Sequence, residues 1–194
     1  MHEGVNQAVQ RTDEFFRSIF ESAQIGIGIY NIQSGDHFSN RALHEMLGYS
    51  QAELSRLEQW DAIIHPEERA SGAERYAELA QGRRDRDEWE QRFIRRDSRI
   101  VFAKGRFRLS RDADGKPHYI VTLNEDITER RRAEEERNRV TQQMRLLLDS
   151  TGQGIFGIDR QGDCTFINRA TCEMIGYRTE EALGRNMHQT RPSP

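Results

Sequence analysis

The sequence predicts an α+β fold: a five-stranded antiparallel sheet with short flanking helices, then a linker helix and part of a second domain of the same kind. Three observations carry this expectation. Along the chain the apolar period passes from helix to a strand pair, to several short helices, and back to three strands. The segment DADGKP, Asp112–Pro117, is a strong hairpin signal between two of those last strands. The phrase FSNRALHEMLGYS, Phe38–Ser50, returns as FINRATCEMIGYR, Phe166–Arg178, at an ungapped offset of 128 residues. A period this long suits a duplicated domain and not a solenoid.

Residues 1–14 form an N-terminal segment, and the first domain is expected over 15–128. TDEFFRSIFESA reads as a short helix capped by Thr12 or Asp13, with Phe15, Phe16, Ile19 and Phe20 on one side. Each large apolar side chain gains roughly 1.5–3 kcal/mol on burial, so this face should be covered by packing or by a second subunit. IGIGIYNIQSGDHFSN follows as two short strands around a turn at Ser34-Gly35-Asp36. Gly26-x-Gly28 lies inside the strand pattern and lacks a third glycine, which argues against a dinucleotide loop.

RALHEMLGY sets Leu43, Met46 and Leu47 at helical spacing, with Gly48 as a left-handed cap, and SQAEL places Ser50 and Glu53 in capping-box register. Pro66 opens a longer helix, with Glu67 and Glu68 at its positive end, Tyr76 and Leu79 facing inward and Gly82 closing it. DEWEQRFIRR, RIVFAKGRFRLS and HYIVTLNED then read as three extended runs joined by turns at Asp97-Ser98 and Asp112–Pro117. Along the last run Ile120, Thr122 and Asn124 share one face, and Tyr119, Val121 and Leu123 the other. The latter face, like the leading helix, is expected to be covered.

Composition limits the function classes. Of 194 residues, 35% are apolar and 31% charged, as in a well-solvated chain, and no run approaches a membrane span of about 18 apolar residues. The N-terminus has no signal-peptide layout, so a cytoplasmic protein is expected. A net charge of −3, with Arg interleaved among Glu and Asp, argues against a nucleic-acid groove. Cys164 and Cys172 have neither CxxC spacing nor a neighbouring His pair, so they read as small buried residues and no metal site is expected. GxSxG, Walker, HExxH and kinase signatures are absent, and Pro at a helix start accounts for His65-Pro66-Glu67-Glu68, so no catalytic residue is assigned.

The ordered set of phrases resembles the PAS/PAC sensory family. Residues 15–128 are similar to a complete PAS domain through FSNRALHEMLGYS, the HPEER stretch, RFIRRDSR and DADGKPHYIVTLNEDITER. Residues 143–191 resemble the first half of a second, within an expected domain of 149–194 that stops before the last three strands of the sheet. The chain is therefore expected to be a fragment of a longer sensor, or to carry a half-domain completed by a partner strand. The resemblance implies a sheet cupping helices over a small cavity, pairing with other PAS domains, and signalling to an output domain such as those of histidine kinases and cyclic-dinucleotide enzymes. A ligand-free interaction scaffold stays open beside it.

Asp126 and Glu129 have capping-box spacing, so the last strand should run straight into the linker helix, residues 129–148. Ala133, Val140, Met144 and Leu147 form a thin apolar seam in a run of Arg and Glu, as in a short parallel coiled coil; a solvated connector is the alternative. With Phe16, Ile19 and Phe20 these residues are the expected homodimer seam. The resemblance implies that Asp126, Ile127, Thr128 and Glu129 transmit the signal. Its cysteinyl-flavin branch needs a Cys that residues 55–82 lack, and its haem branch an axial His that residues 67–82 lack, so both are disfavoured. Non-covalent flavin, a small metabolite and an empty core stay open. In the flavin branch a cavity-facing amide stands two residues before the Asp, where this chain has Asn124. Ligand contacts are accordingly expected from Asn124, Thr122, Trp60, Trp89 and Met46.

Overall fold

The computed structural model of the protein describes residues 2–54, 56 and 60–186, with side chains from residue 11 onwards. Met187, His188 and the terminal RPSP, part of the second repeat as read from sequence, lie outside the described residues. The chain divides into two compact units, Met1–Arg130 and Arg131–Pro194.

In the first unit, helix α1 spans His2–Ser22. It begins before the predicted caps, so Thr12 and Asp13 lie in its interior. Phe15, Phe16 and Ile19 remain 68%, 56% and 52% exposed. The expected burial is not made within the chain, because α1 is tied to its unit through its last turn, where Phe20 and Glu21 accept hydrogen bonds from Asn40 and Arg41. Phe16 stacks on Phe20 at 5.6 Å between ring centroids.

Strands β1 (Gly26–Asn31) and β2 (His37–Ser39) form a hairpin whose turn uses Gly35 at φ 79°. Helix α2 (Arg41–Leu47) begins at Asn40, whose side chain accepts the Leu43 N–H, and ends at Gly48, φ 75°. The Arg95 guanidinium donates to the carbonyls of Glu45 and Met46, satisfying orphan acceptors at the C-terminus of α2. Helix α3 (Gln51–Leu54) carries the Ser50–Glu53 capping box. After a 3₁₀ turn at Trp60–Ile63 comes α4 (Pro66–Ala80), with Glu67 and Glu68 both paired to Arg92.

Strands β3 (Arg86–Ile94), β4 (Ile100–Arg111) and β5 (Pro117–Asp126) complete an antiparallel sheet of order β2-β1-β5-β4-β3. The last strand therefore lies at the centre. The inner face is buried, with Val101, Ala103, Phe107 and Ile120 each under 5% exposed. The outer face at Tyr119, Val121 and Leu123 is only half-buried, less than the sequence led us to expect, and it grades into an ionic half where Glu88 pairs with Lys104 and Arg106.

The second unit holds most of α5 (Thr128–Ser150), then β6 (Phe156–Ile158), β7 (Cys164–Ile167), α6 (Arg169–Ile175) and α7 (Thr179–Ala182). Among the described residues β6 pairs with β7 alone. A small core of Cys164, Ile167 and Ala182 forms, with Cys164 buried as expected and Cys172 only half-buried, while Ile158 and Met174 remain 45% and 66% exposed. A register shift at Gly157/Ile158 and a sheet of only two strands leave them little to pack against.

Arg75 of α4 holds Asp87 of β3 with two hydrogen bonds of 2.8 and 2.7 Å, and its guanidinium lies 4.6 Å from the centre of the Trp89 ring. The Asp87 carboxylate is 7% exposed, and Arg75 holds its pKa below the ordinary 3.8. Asp87→Asn should cost about 1–3 kcal/mol near neutral pH. A depressed carboxylate stabilises the fold above its unfolded pKa and loses that contribution as pH falls through the folded value. Urea titrations at several pH values should therefore show wild type and variant converging in acid.

Candidate functional site

The inner face of the sheet carries a polar row between two apolar clusters. On β4, Val101 and Ala103 belong to one cluster and Phe107 to the other; on β3, Phe93 and Trp89 divide the same way, with the buried Gln91 between them. On β5 the residues at the boundary are Thr122 and Asn124, the latter 5% exposed. Sheet register sets Asn124 between Gly26 on β1 and Gly105 on β4, and Thr122 between Gly28 and Phe107.

The glycines are needed for these neighbours. A Cβ at Gly28 would stand 2.7 Å from the Thr122 hydroxyl, and one at Gly105 2.6 Å from the Phe107 ring. The space left by missing side chains is filled by Thr122 and by Phe107, which stacks on Trp89 at 3.6 Å. Asn124 Nδ2 donates to Thr122 Oγ1 at 3.2 Å, and Thr122 Oγ1 donates to the Gly28 carbonyl at 3.4 Å. Trp89 Nε1 donates to Gln91 Oε1 at 3.0 Å.

Sequence reasoning did not single out His37 or Gln91. His37 lies on β2 opposite Tyr30, its ring 4.0 Å from that of Trp60 and its Nε2 3.3 Å from where a Gly28 Cβ would stand. Its Nδ1 is buried without a hydrogen-bond partner in the chain. Burial first, and His44 second, push its pKa from 6.5 down to about 4. His44 closes a triangle with Ser39 and Gln51, with Nε2 2.8 Å from Ser39 Oγ and 2.9 Å from Gln51 Oε1. A histidine in a three-residue strand offers no periodic signal, which is why the pattern alone did not reveal it.

Of the residues expected at a ligand site, Thr122 and Asn124 come together in the polar row, Trp89 borders it through Gln91, and Trp60 meets it through His37. Met46 does not join them. It is 8% exposed inside the apolar cluster of Leu43, Leu47 and Phe93.

The strand-to-helix junction continues the sheet ladder. Asp126 stands opposite Ala103, the Ile127 N–H donates to the Phe102 carbonyl at 2.9 Å, and the Phe102 N–H donates to Thr128 Oγ1 at 3.0 Å. The Asp126 carboxylate accepts from the Thr128 N–H at 2.9 Å. Ile127 and Thr128 are buried at 2% and 6%, while Asp126 and Glu129 face solvent. The seam residues Val140, Met144 and Leu147 are 51%, 62% and 69% exposed within one chain. No helix among the described residues is long and apolar enough to cross a membrane.

His37 should titrate near pH 4 by NMR of its ring protons, far below an unperturbed histidine. The folded chain then binds this proton more weakly than the unfolded one, so stability falls as pH drops from 6.5 to about 4. His37→Phe should flatten that part of the profile.

Two family models, each described as PAS fold, match residues 37–124 and 142–194. The chain is 28% identical over 148 residues to the probable diguanylate cyclase DgcE of Escherichia coli (strain K12), covering 76% of this chain and 13% of that protein. It is 22% identical over 151 residues to the sensor histidine kinase TmoS of Ectopseudomonas mendocina, covering 78% of this chain and 15% of that protein. Among solved structures, the sensory box histidine kinase/response regulator from Burkholderia thailandensis E264 superposes with a TM-score of 0.50 at 23% identity, over 67% of this chain and 97% of that one. The N-terminal domain of a diguanylate cyclase with PAS/PAC sensor from Marinobacter aquaeolei gives 0.51 at 18% identity, over 55% and 98%.

Proposed function

The chain belongs to the PAS-fold family, and we propose that its first unit senses a small hydrogen-bonding molecule at the Thr122–Asn124 row and passes its state through Asp126–Glu129 into α5. One observation carries the reading. Asn124, a buried amide amid apolar packing, lies on the same strand and the same face as Asp126, two residues away. A ligand that replaces the Asn124–Thr122 bond would pull on the strand end that holds the first turn of α5. Thr122, Trp60 and Trp89 supply its remaining contacts, and a non-covalent flavin or a planar metabolite matches a site of one amide, one hydroxyl and two indoles. The output domain that receives this signal belongs to the class of histidine kinases or cyclic-dinucleotide enzymes, as in the relatives above.

A ligand-free interaction scaffold is the second reading, favoured by the Asn124–Thr122 hydrogen bond and by the filled spaces over Gly28 and Gly105. Titrating flavin mononucleotide and a metabolite panel into the labelled chain separates the two. Binding should shift the Asn124 side-chain resonances together with the Ile127–Glu129 amides, and Asn124→Leu should weaken it about tenfold, the effect of about 1.4 kcal/mol for a lost hydrogen bond. A chain whose resonances stay unmoved across the panel is the scaffold.

The exposed stripes Phe16–Ile19 and Val140–Met144–Leu147 are the surfaces through which a homodimer would form, since apolar side chains in helical register gain most from a like partner. Ile19→Glu with Met144→Glu should shift sedimentation from dimer to monomer at micromolar concentration and leave the circular dichroism of the sheet unchanged. An unaltered dimer would place the interface elsewhere.

A further inference from the structure

Asn40 and Asn168 follow the second strand of each unit and are 0% and 1% exposed. A primary amide has two donors and two acceptor sites, and burial makes any unpaired one costly. At Asn40 all four are used. Oδ1 accepts from the N–H groups of Ile27 (2.8 Å) and Leu43 (3.1 Å), and Nδ2 donates to the carbonyls of Phe20 and Ile25, both at 3.0 Å. At Asn168 Oδ1 accepts from Ile155 (2.8 Å) and Thr171 (3.0 Å), and Nδ2 donates to Leu148 (2.8 Å) and Gln153 (2.9 Å).

Every backbone partner recurs at the offset of 128 residues, although three of the four side chains at those positions differ. A second tie recurs with them. The Glu21 carboxylate accepts from the Arg41 N–H, and the Asp149 carboxylate from the Arg169 N–H, both at 2.9 Å. The two halves of the amide have different tasks. The acceptor oxygen joins the start of the unit's first strand to the first turn of its following helix, which builds the unit. The donor nitrogen reaches the last turn of the helix that enters it, α1 in one case and α5 in the other.

We infer that Asn40 and Asn168 are the couplings through which each PAS unit registers the position of its entering helix. α5 then has a defined device at either end: the Asp126–Thr128 junction holds it to the first unit, and Asn168 holds its last turn within the second. α1 stands to the first unit as α5 stands to the second, which makes α1 an input helix. The first unit can be driven from α1 as well as by a ligand. The exposed stripes keep the same phase to the amides, because Phe16 and Met144, and Ile19 and Leu147, occupy equivalent positions. This inference does not require the ligand reading.

Asn168→Asp separates the two tasks, because it keeps both acceptors, deletes both donors and sets a carboxylate against two carbonyls. In the full chain, hydrogen exchange should rise about tenfold over residues 145–152 in this variant, while β7 and α6 keep wild-type protection. A helix break at Gln142→Pro should lower protection of the Ile155 and Thr171 amides in the wild-type background and have no further effect on them in Asn168→Asp, a non-additive cycle. Additive effects, or equal loss of protection in α5 and α6 on Asn168→Asp alone, would make the residue a helix cap and overturn the inference. Should the second unit unfold in that variant, Asn40→Asp with Asp13→Pro runs the same cycle in the five-stranded unit, read at residues 16–24 and at Ile27 and Leu43.

Discussion

A fully bonded amide at the base of the first hairpin is the constraint on which each unit depends. Asn40 gathers backbone groups from a helix end, a loop, a strand and the next helix into one buried point, and no other side chain can do so without leaving a group unpaired. Asp lacks the donors, Ser and Thr lack the reach, and Gln adds a methylene that the packing would have to absorb. The repeated phrase is short because this geometry is local. Around the Asn recur an exposed arginine that pairs with a glutamate one turn on, at 2.6 Å in the first unit and 2.7 Å in the second, and a glycine at left-handed φ, 75° and 74°, that ends the helix.

The central strand imposes a second constraint. β5 is bonded on both sides, so each inner-face residue sees two neighbours, and a Thr and an Asn in the middle are accommodated because the adjoining positions are glycine. An apolar sheet would have been more stable, since burying an amide gains little beyond the repair of its own desolvation. Retaining this row divides the core into two clusters and leaves hydrogen bonds that a ligand could exchange. A sensor needs such a low-cost rearrangement, and a scaffold does not.

Charge contributes differently. Ion pairs such as Arg139–Glu136 on α5 and Arg41–Glu45 on α2 are exposed, and pairs of this kind contribute a few tenths of a kcal/mol each. The linker α5 has Thr128 as its buried residue and a polar surface over most of its length. A helix so constituted is sustained by propensity and by its attachments at either end rather than by a core. Rotation or displacement of such an element disturbs few contacts, which suits it to carrying a conformational change.

Residues that interact within one turn or one hairpin were legible from the sequence alone. The Gly48 cap, the Ser50–Glu53 box, the Pro66 start, the tight turn at Gly35 and the alternation of Ile120, Thr122 and Asn124 along β5 each rest on φ preferences or on side chains a few residues apart, and no distant partner can alter them. The duplication was legible for the same reason, since its identities are local caps and turns. Tertiary structure decided the rest. Whether Phe15, Phe16 and Ile19 are covered depended on what packs against α1, and within the chain they stay exposed while the last turn of the helix is bonded to Asn40 and Arg41. Met46 and Asn124 were both read as ligand-facing, but α2 carries Met46 into an apolar cluster and sheet register sets Asn124 between two glycines. His37 became a half-buried, weakly basic group because β2 pairs it opposite Tyr30 and Trp60 folds over it, a placement set by contacts between segments that local chemistry does not encode.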